Sequence, residues 1–258
     1  MDSNVKVILI CEDSMEGIFT AVYDGWIYAG RGKMVEIRTE MPDNLELFSR
    51  YEQIKTNQEK SVKVGRSVRR KLGAEVYENI CYAAAAYHQD KGTAIFYVLR
   101  QALGAGACKG NIMENMADPY VNLVARLHTK VWHEYHRFLG FIRFRKVGGG
   151  VLFSKITPEN DVLVMLGPHF ADRFPNEQWM IYDDRRHKVL LHRQGGECVL
   201  HTGVSLSEDY CGNLEDSEEY ETLWRAFCKS ITIEERKNPH LQQQLVPQKF
   251  QKNMLEFR

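Results

Sequence analysis

Phe141-Ile142-Arg143-Phe144-Arg145-Lys146-Val147, Gly148-Gly149-Gly150 and Val151-Leu152-Phe153-Ser154-Lys155-Ile156 follow one another without a break. Apolar and basic side chains alternate in the first run, the glycines supply a turn, and the third run returns with strand-type residues. Period-two alternation on both sides of a glycine turn predicts a hairpin. Ile142 and Phe144 then face a core, and Arg143 and Arg145 share the other face. The stretch before it is mainly helical in period, so the hairpin is what marks the second half as sheet and the chain as α+β.

Working back, Asp118-Pro119 opens a long helix to about Leu139, with proline at its first position. On it Arg126, Lys130, His133 and Arg137 form a narrow basic stripe, opposite Val124, His128, Val131 and Tyr135. Ala105 to Ala117 reads as a loop, and two or three helices precede it, punctuated by Gly73 and Gly92. In the helix near residue 66, Lys63, Arg66, Arg69 and Arg70 gather opposite Val64, Val68 and Leu72. Residues 35 to 58 predict a short strand and a polar connection. Val5 to Ile10 is a strand, followed by a helix that Asp13-x-x-Glu16 caps and Gly30 and Gly32 end.

Working forward, Pro158 to Phe174 is helical in pattern with a kink expected at Gly167-Pro168. Trp179 to Asp183 and Lys188 to His192 form a second strand pair around Arg185-Arg186. Glu208 to Glu219 is acidic and leads into a helix bearing Tyr220, Leu223, Trp224, Phe227 and Ile231. Asn238-Pro239 breaks that helix and starts another, bringing Arg236 and Gln242 around one corner. The expectation is a single α+β domain over 1–258. It is mainly helical to 140, has a small antiparallel sheet (hairpin, helix, hairpin) over 141–202, and ends in helices over 203–258.

Acidic and basic residues balance at 34 each, so contact with nucleic acid must come from a local patch. No apolar run is long enough for a membrane span. Met1-Asp2-Ser3-Asn4 has no basic n-region, which argues against a signal peptide and for a cytoplasmic protein. The 6 cysteines form no CxxC pair and read as reduced thiols.

Catalytic signatures are poor, so enzymatic activity stays open. His133 and His136 lack the spacing of a zinc protease, and no metal site is expected. Gly104-Ala105-Gly106 lacks a dinucleotide fingerprint, so no cofactor is expected. His169, Asp183 and Arg186 are the candidates for a hydrolase or nuclease, though nothing in the sequence fixes their geometry. For nucleic-acid binding the candidates are Arg137, Arg143, Arg145, Arg173, Arg236, Asn238 and Gln242. Arginines on a helix and on the strand it feeds suit a phosphate backbone, and Arg and Gln also make bidentate bonds to base edges.

Several motifs occur in order along the whole chain: Tyr23 with its flanking helix, Gly140-Phe141-Ile142-Arg143-Phe144, and His169-Phe170-x-x-Arg173-Phe174. Trp179-x-Ile181-x-Asp183-x-x-Arg186, Arg236-x-Asn238-Pro239-x-Leu241-Gln242 and Pro247 complete the set. Together they resemble a bacterial family of uncharacterised DNA-metabolism proteins. That family is paired with a radical-SAM protein taken to modify or repair DNA, and related domains are fused to uracil-DNA glycosylase-like domains. The resemblance implies an accessory that binds DNA or presents it to the radical-SAM partner. The nuclease reading and a pure interaction scaffold, with arginines paired to acids such as those of 208–219, are the alternatives. The chain lacks CxxxCxxC and any glycosylase motif, so by motif it is neither enzyme. It also departs from the family after Pro247, where basic residues and a Tyr-Trp pair are expected but Gln248, Lys249, Phe250 and Gln251 stand.

Overall fold

The computed structural model describes residues 5–104 and 110–205 and, beyond them, 223, 226–227, 229–230, 232, 238–252, 254 and 257. The acidic stretch Glu208 to Glu219 and Arg236 lie outside the described residues; of the helix expected from Tyr220, Leu223 and Phe227 are described and are helical, and Tyr220, Trp224 and Ile231 are not described. The chain divides into two compact units, Met1–His133 and Glu134–Arg258.

In the first unit β1 (Lys6–Ile10) is the middle strand of a parallel sheet, between β2 (Val35–Arg38) and β3 (Ser49–Gln53). Val7, Ile8 and Leu9 are fully buried, which explains the unbroken apolar run: a central parallel strand is covered on both faces. Helix α1 (Met15–Gly30) returns the chain from β1 to β2. Its cap is Ser14, whose hydroxyl accepts from Gly17 N at 3.0 Å. Asp13, expected to cap this helix, instead accepts a 2.5 Å bond from the buried Lys91.

Helices α2 (Gln58–Leu72), α3 (Ala74–Ala85) and α4 (Lys91–Leu103) follow, and Gly73 joins the first two at φ +92°. Gly92 lets α4 approach β2 closely, because a Cβ there would lie 2.7 Å from Ile37 Cγ2. The next residue, Thr93, accepts from Ile37 N at 3.0 Å and donates to Ile37 O at 3.1 Å. A helix hydroxyl thus satisfies a strand edge that would otherwise be open.

Helix α5 (Pro119–Phe141) begins where the proline predicts, with Asp118 accepting from the amides of Tyr120 and Val121. The division between the units falls within it. It runs past Leu139, so Phe141 is helical and the strand β4 covers only Arg145–Val147. Ile142 is 9% exposed, and Phe144 packs edge-on against Phe170 and Trp179. Both reach a core as the alternation requires, from an extended linker.

In the second unit the glycine turn leads to β5 (Val151–Ile156), antiparallel to β4. Residues 157–162 form a loop, so α6 (Leu163–Arg173) starts later than the Pro158 to Phe174 pattern suggests, and Pro168 lies inside it. β6 (Trp179–Asp183) then pairs parallel to β5, β7 (Lys188–His192) antiparallel to β6, and β8 (Cys198–Thr202) antiparallel to β7. The α+β class holds, but the sheet is mixed rather than antiparallel. A helix between two neighbouring strands carries the chain back across the sheet, so the second strand starts from the same end. Leu163, Leu166 and Phe170 bury the inner face of α6. Its Gly167 lies so close to β7 that a Cβ would meet Leu190 at 3.2 Å.

After the undescribed stretch come α7 (Pro239–Leu245) and α8 (Gln248–Gln251). Among the described residues no helix is long and apolar enough to cross a membrane.

Candidate nucleic-acid interface

All the described candidate residues lie in the second unit. Arg137 is exposed on α5. One turn later the helix ends, and Arg143 folds back on it, donating to Gly140 O at 2.7 Å and Ile142 O at 3.3 Å. This is a cation satisfying the last carbonyls of a helix, where the macrodipole also favours positive charge. Because α5 extends to Phe141, Arg143 is a helix cap and does not share a strand face with Arg145. Arg145 begins β4 opposite Phe153 and is half-buried.

Between the two arginines, Phe144 inserts its ring against Phe174 at 5.5 Å, and the Arg173 guanidinium lies 5.6 Å over the Phe174 ring. Packing of Phe174 on Phe144 thus brings Arg173 to the linker that lies between Arg143 and Arg145 in sequence. Nothing in the local sequence pattern places Arg173 beside the hairpin. Its neighbours follow from α6 packing across the sheet.

Asp183, Arg186 and His169 are not brought together. Asp183 is fully buried at the end of β6. Its Oδ1 accepts from the amides of Arg185 (2.9 Å) and Arg186 (3.2 Å), and Oδ2 accepts from Arg186 Nη1 at 3.2 Å. Arg186 also donates to the carbonyls of Pro158 (3.2 Å) and Glu159 (2.5 Å), tying the β6–β7 turn to the loop after β5. Among the described residues no hydrogen bond or ion pair joins either to His169, whose ring packs edge-on against Phe170 and whose Nε2 is buried without a partner. Asp183 and Arg186 are thus committed to fixing a turn.

Burial pushes the Asp183 carboxyl above the ordinary aspartate range, against the pull of the Arg186 guanidinium and the two turn amides. A carboxyl whose pKa is higher folded than unfolded holds more protons in the folded state. Its contribution to stability is fullest at low pH and is lost as pH rises through the folded value. Asp183→Asn removes this titration. The stability of the wild type relative to Asp183→Asn is therefore expected to fall as pH climbs from about 4 towards neutrality, read from urea midpoints. A relative stability that rises over that range contradicts this account of the site.

Sequence reasoning missed Glu134, which is 4% exposed on α5. Its carboxylate accepts from Glu159 N (3.0 Å), Asn160 N (2.8 Å), Asn160 Nδ2 (2.7 Å) and Lys249 Nζ (3.0 Å). The signal was there: Glu134 interrupts the apolar stripe between Val131 and Phe138. Asn238 caps α7 by accepting from Leu241 N at 3.0 Å, and Gln242 on that helix is exposed. At the point of departure from the resembled family, Phe250 is 3% exposed against Phe138 and Phe141, and Lys249 is bound to Glu134. The aromatic and the cation that remain there serve the interior.

The first unit carries a cleft of about 780 Å³ beyond β1 and β2, lined by Asp13, Arg38, Glu40, Asp43, His88 and Asp90 among others. Arg38 is held by Glu36 and Glu46. Among the described residues no group of three or more His, Cys, Asp or Glu is placed to hold a metal ion. Cys11, Cys81 and Cys198 are free thiols.

A model of a domain of unknown function, DUF4130, matches residues 89–256. The chain belongs to that family. No curated protein matches it. Among solved structures, a DHH-domain member of a family of ribosomal proteins is similar over 73% of each chain, at 9% identity and a TM-score of 0.32.

Proposed function

We propose that this member of a family of unknown function is a DNA-metabolism accessory. In this reading it binds the DNA backbone through Arg145 and Arg173, with Arg137 and Gln242 as further contacts, and presents the strand to a radical-SAM partner enzyme. The observation that carries the DNA half is the Arg173 guanidinium over the Phe174 ring, which packs on Phe144, the residue between Arg143 and Arg145 in sequence. Arginines beside partly exposed aromatic rings suit phosphates and stacked bases respectively. The partner half rests on the family resemblance, in which the radical-SAM protein and the glycosylase fusions are neighbours in context. The internal commitment of Asp183 and Arg186 favours this reading over a hydrolase.

Arg145→Ala combined with Arg173→Ala is expected to weaken binding to fluorescent duplexes of unrelated sequence about equally, since phosphate contacts carry no sequence information. Anisotropy titrations check this, with circular dichroism confirming the fold. Arg143 stays in place because its removal would uncap α5. Unchanged affinity in a folded double variant, or loss confined to one sequence, contradicts the assignment.

A further inference from the structure

The first unit has an apolar groove that the DNA reading does not use. Val22, Tyr23, Trp26 and Ile27 of α1 form one wall. Lys63, Val64, Ser67 and Lys71 of α2 form the other, and Leu99 and Leu103 of α4 close the floor. The spacing on each helix keeps these residues on one face. The sequence places Trp26 with the buried face of α1, yet it is 36% exposed, and Tyr23 and Ile27 are 38% and 53% exposed. The groove holds about 490 Å³.

Charge adds the second observation. Lys63, Arg66, Arg69, Arg70 and Lys71 are all exposed on α2. On α2 itself Glu59 is the one carboxylate, against Lys60 and these five cations, and Lys60 is bound to Asp24. A helix this basic, with a single carboxylate of its own, alongside an apolar groove is half of a complementary pair. Half of the groove lining is aliphatic, and its uncharged polar groups are the hydroxyls of Ser67 and Tyr23 and the Trp26 indole, so it has little with which to bond base edges. Its shape suits rows of apolar side chains.

We infer that this groove receives an amphipathic helix of a partner protein, with apolar anchors on Trp26, Ile27 and Leu103 and with acidic residues facing Lys63 and Lys71. The anchors bury apolar surface, while the lysines fix orientation and speed encounter. The inference stands apart from the arginine cluster of the second unit, and either can fail without the other.

The test uses the full chain and a designed helical peptide with leucines at i, i+3, i+4 and i+7 flanked by glutamates, followed by anisotropy of a dye on the peptide. Binding is expected, weakened about tenfold or more by Ile27→Asp, a buried-anchor loss at a position exposed in the free chain. Lys63→Glu with Lys71→Glu should weaken it similarly and should switch preference to a peptide carrying lysines in place of the glutamates. No binding, or binding indifferent to these variants, overturns the inference. So does a single-stranded oligonucleotide that displaces the peptide and itself loses affinity in Ile27→Asp, which would make the groove a nucleic-acid surface.

Discussion

Trp179→Ala should lower the stability of the second unit by about 3–5 kcal/mol, the range for truncating a large aromatic in a core. The indole is 1% exposed at the start of β6, the strand between β5 and β7. It stacks on His192 at 5.0 Å and 13°, and it meets Phe144 at 6.3 Å and Phe170 at 6.2 Å. Those contacts come from α6, from β7 and from the linker that carries the candidate arginines, so none can collapse into the gap without moving an element. Part of the cost is recovered, because the indole Nε1 is buried without a hydrogen-bond acceptor and its removal relieves an unpaired donor. Urea denaturation followed by circular dichroism measures the shift. A folded variant with the wild-type midpoint would place Trp179 outside the core.

Glu134→Ala should cost about as much, roughly 3–5 kcal/mol, as expected when one member of a buried charged network is removed. The substitution strands the amides of Glu159 and Asn160 and the Asn160 side chain, which is itself 1% exposed. It also frees α8, held through Lys249. Lys249→Ala is the informative control. The Lys249 side chain is 45% exposed, and the carboxylate keeps its three other donors without it, so a loss of about 1 kcal/mol is expected. Equal losses in the two variants would mean that the ion pair, and not the amide bonds of the loop, holds this corner together.

Elements whose burial is continuous or strictly periodic were legible in the sequence. The apolar run of β1, the proline start of α5, and the burial of Trp179 and Ile181 with Asp183 at the turn follow from local pattern. The edge strands β3 and β8 were not. β3 reads Ser49-Arg50-Tyr51-Glu52-Gln53, with no apolar face, and β8 is a short run after Gly195-Gly196 whose Val199 and Leu200 stay exposed. The direction of β6 is hidden too, because period-two patterning is the same in either direction. Only the α6 crossover fixes it as parallel to β5.

The site was legible in composition and not in arrangement. An arginine after a helix is a strand residue or a cap depending on where the helix stops, and two further residues of α5 made Arg143 a cap. Arg173 reached the same neighbourhood through tertiary packing of Phe174 on Phe144. The Glu134 network joins residues 25 to 115 positions apart, beyond any local pattern. It is the same physics that makes Asp183 and Arg186 look catalytic in sequence and structural in place.

The salt dependence of duplex-DNA affinity is the most direct measurement of the central claim. If the chain holds the backbone through Arg145 and Arg173, the logarithm of the association constant falls linearly with the logarithm of salt concentration, with a slope near −0.9 per phosphate neutralised. The Arg145→Ala, Arg173→Ala variant should then show a slope shallower by up to about two such contacts. Affinity that is absent at low salt, or a slope identical in wild type and variant, would contradict the claim.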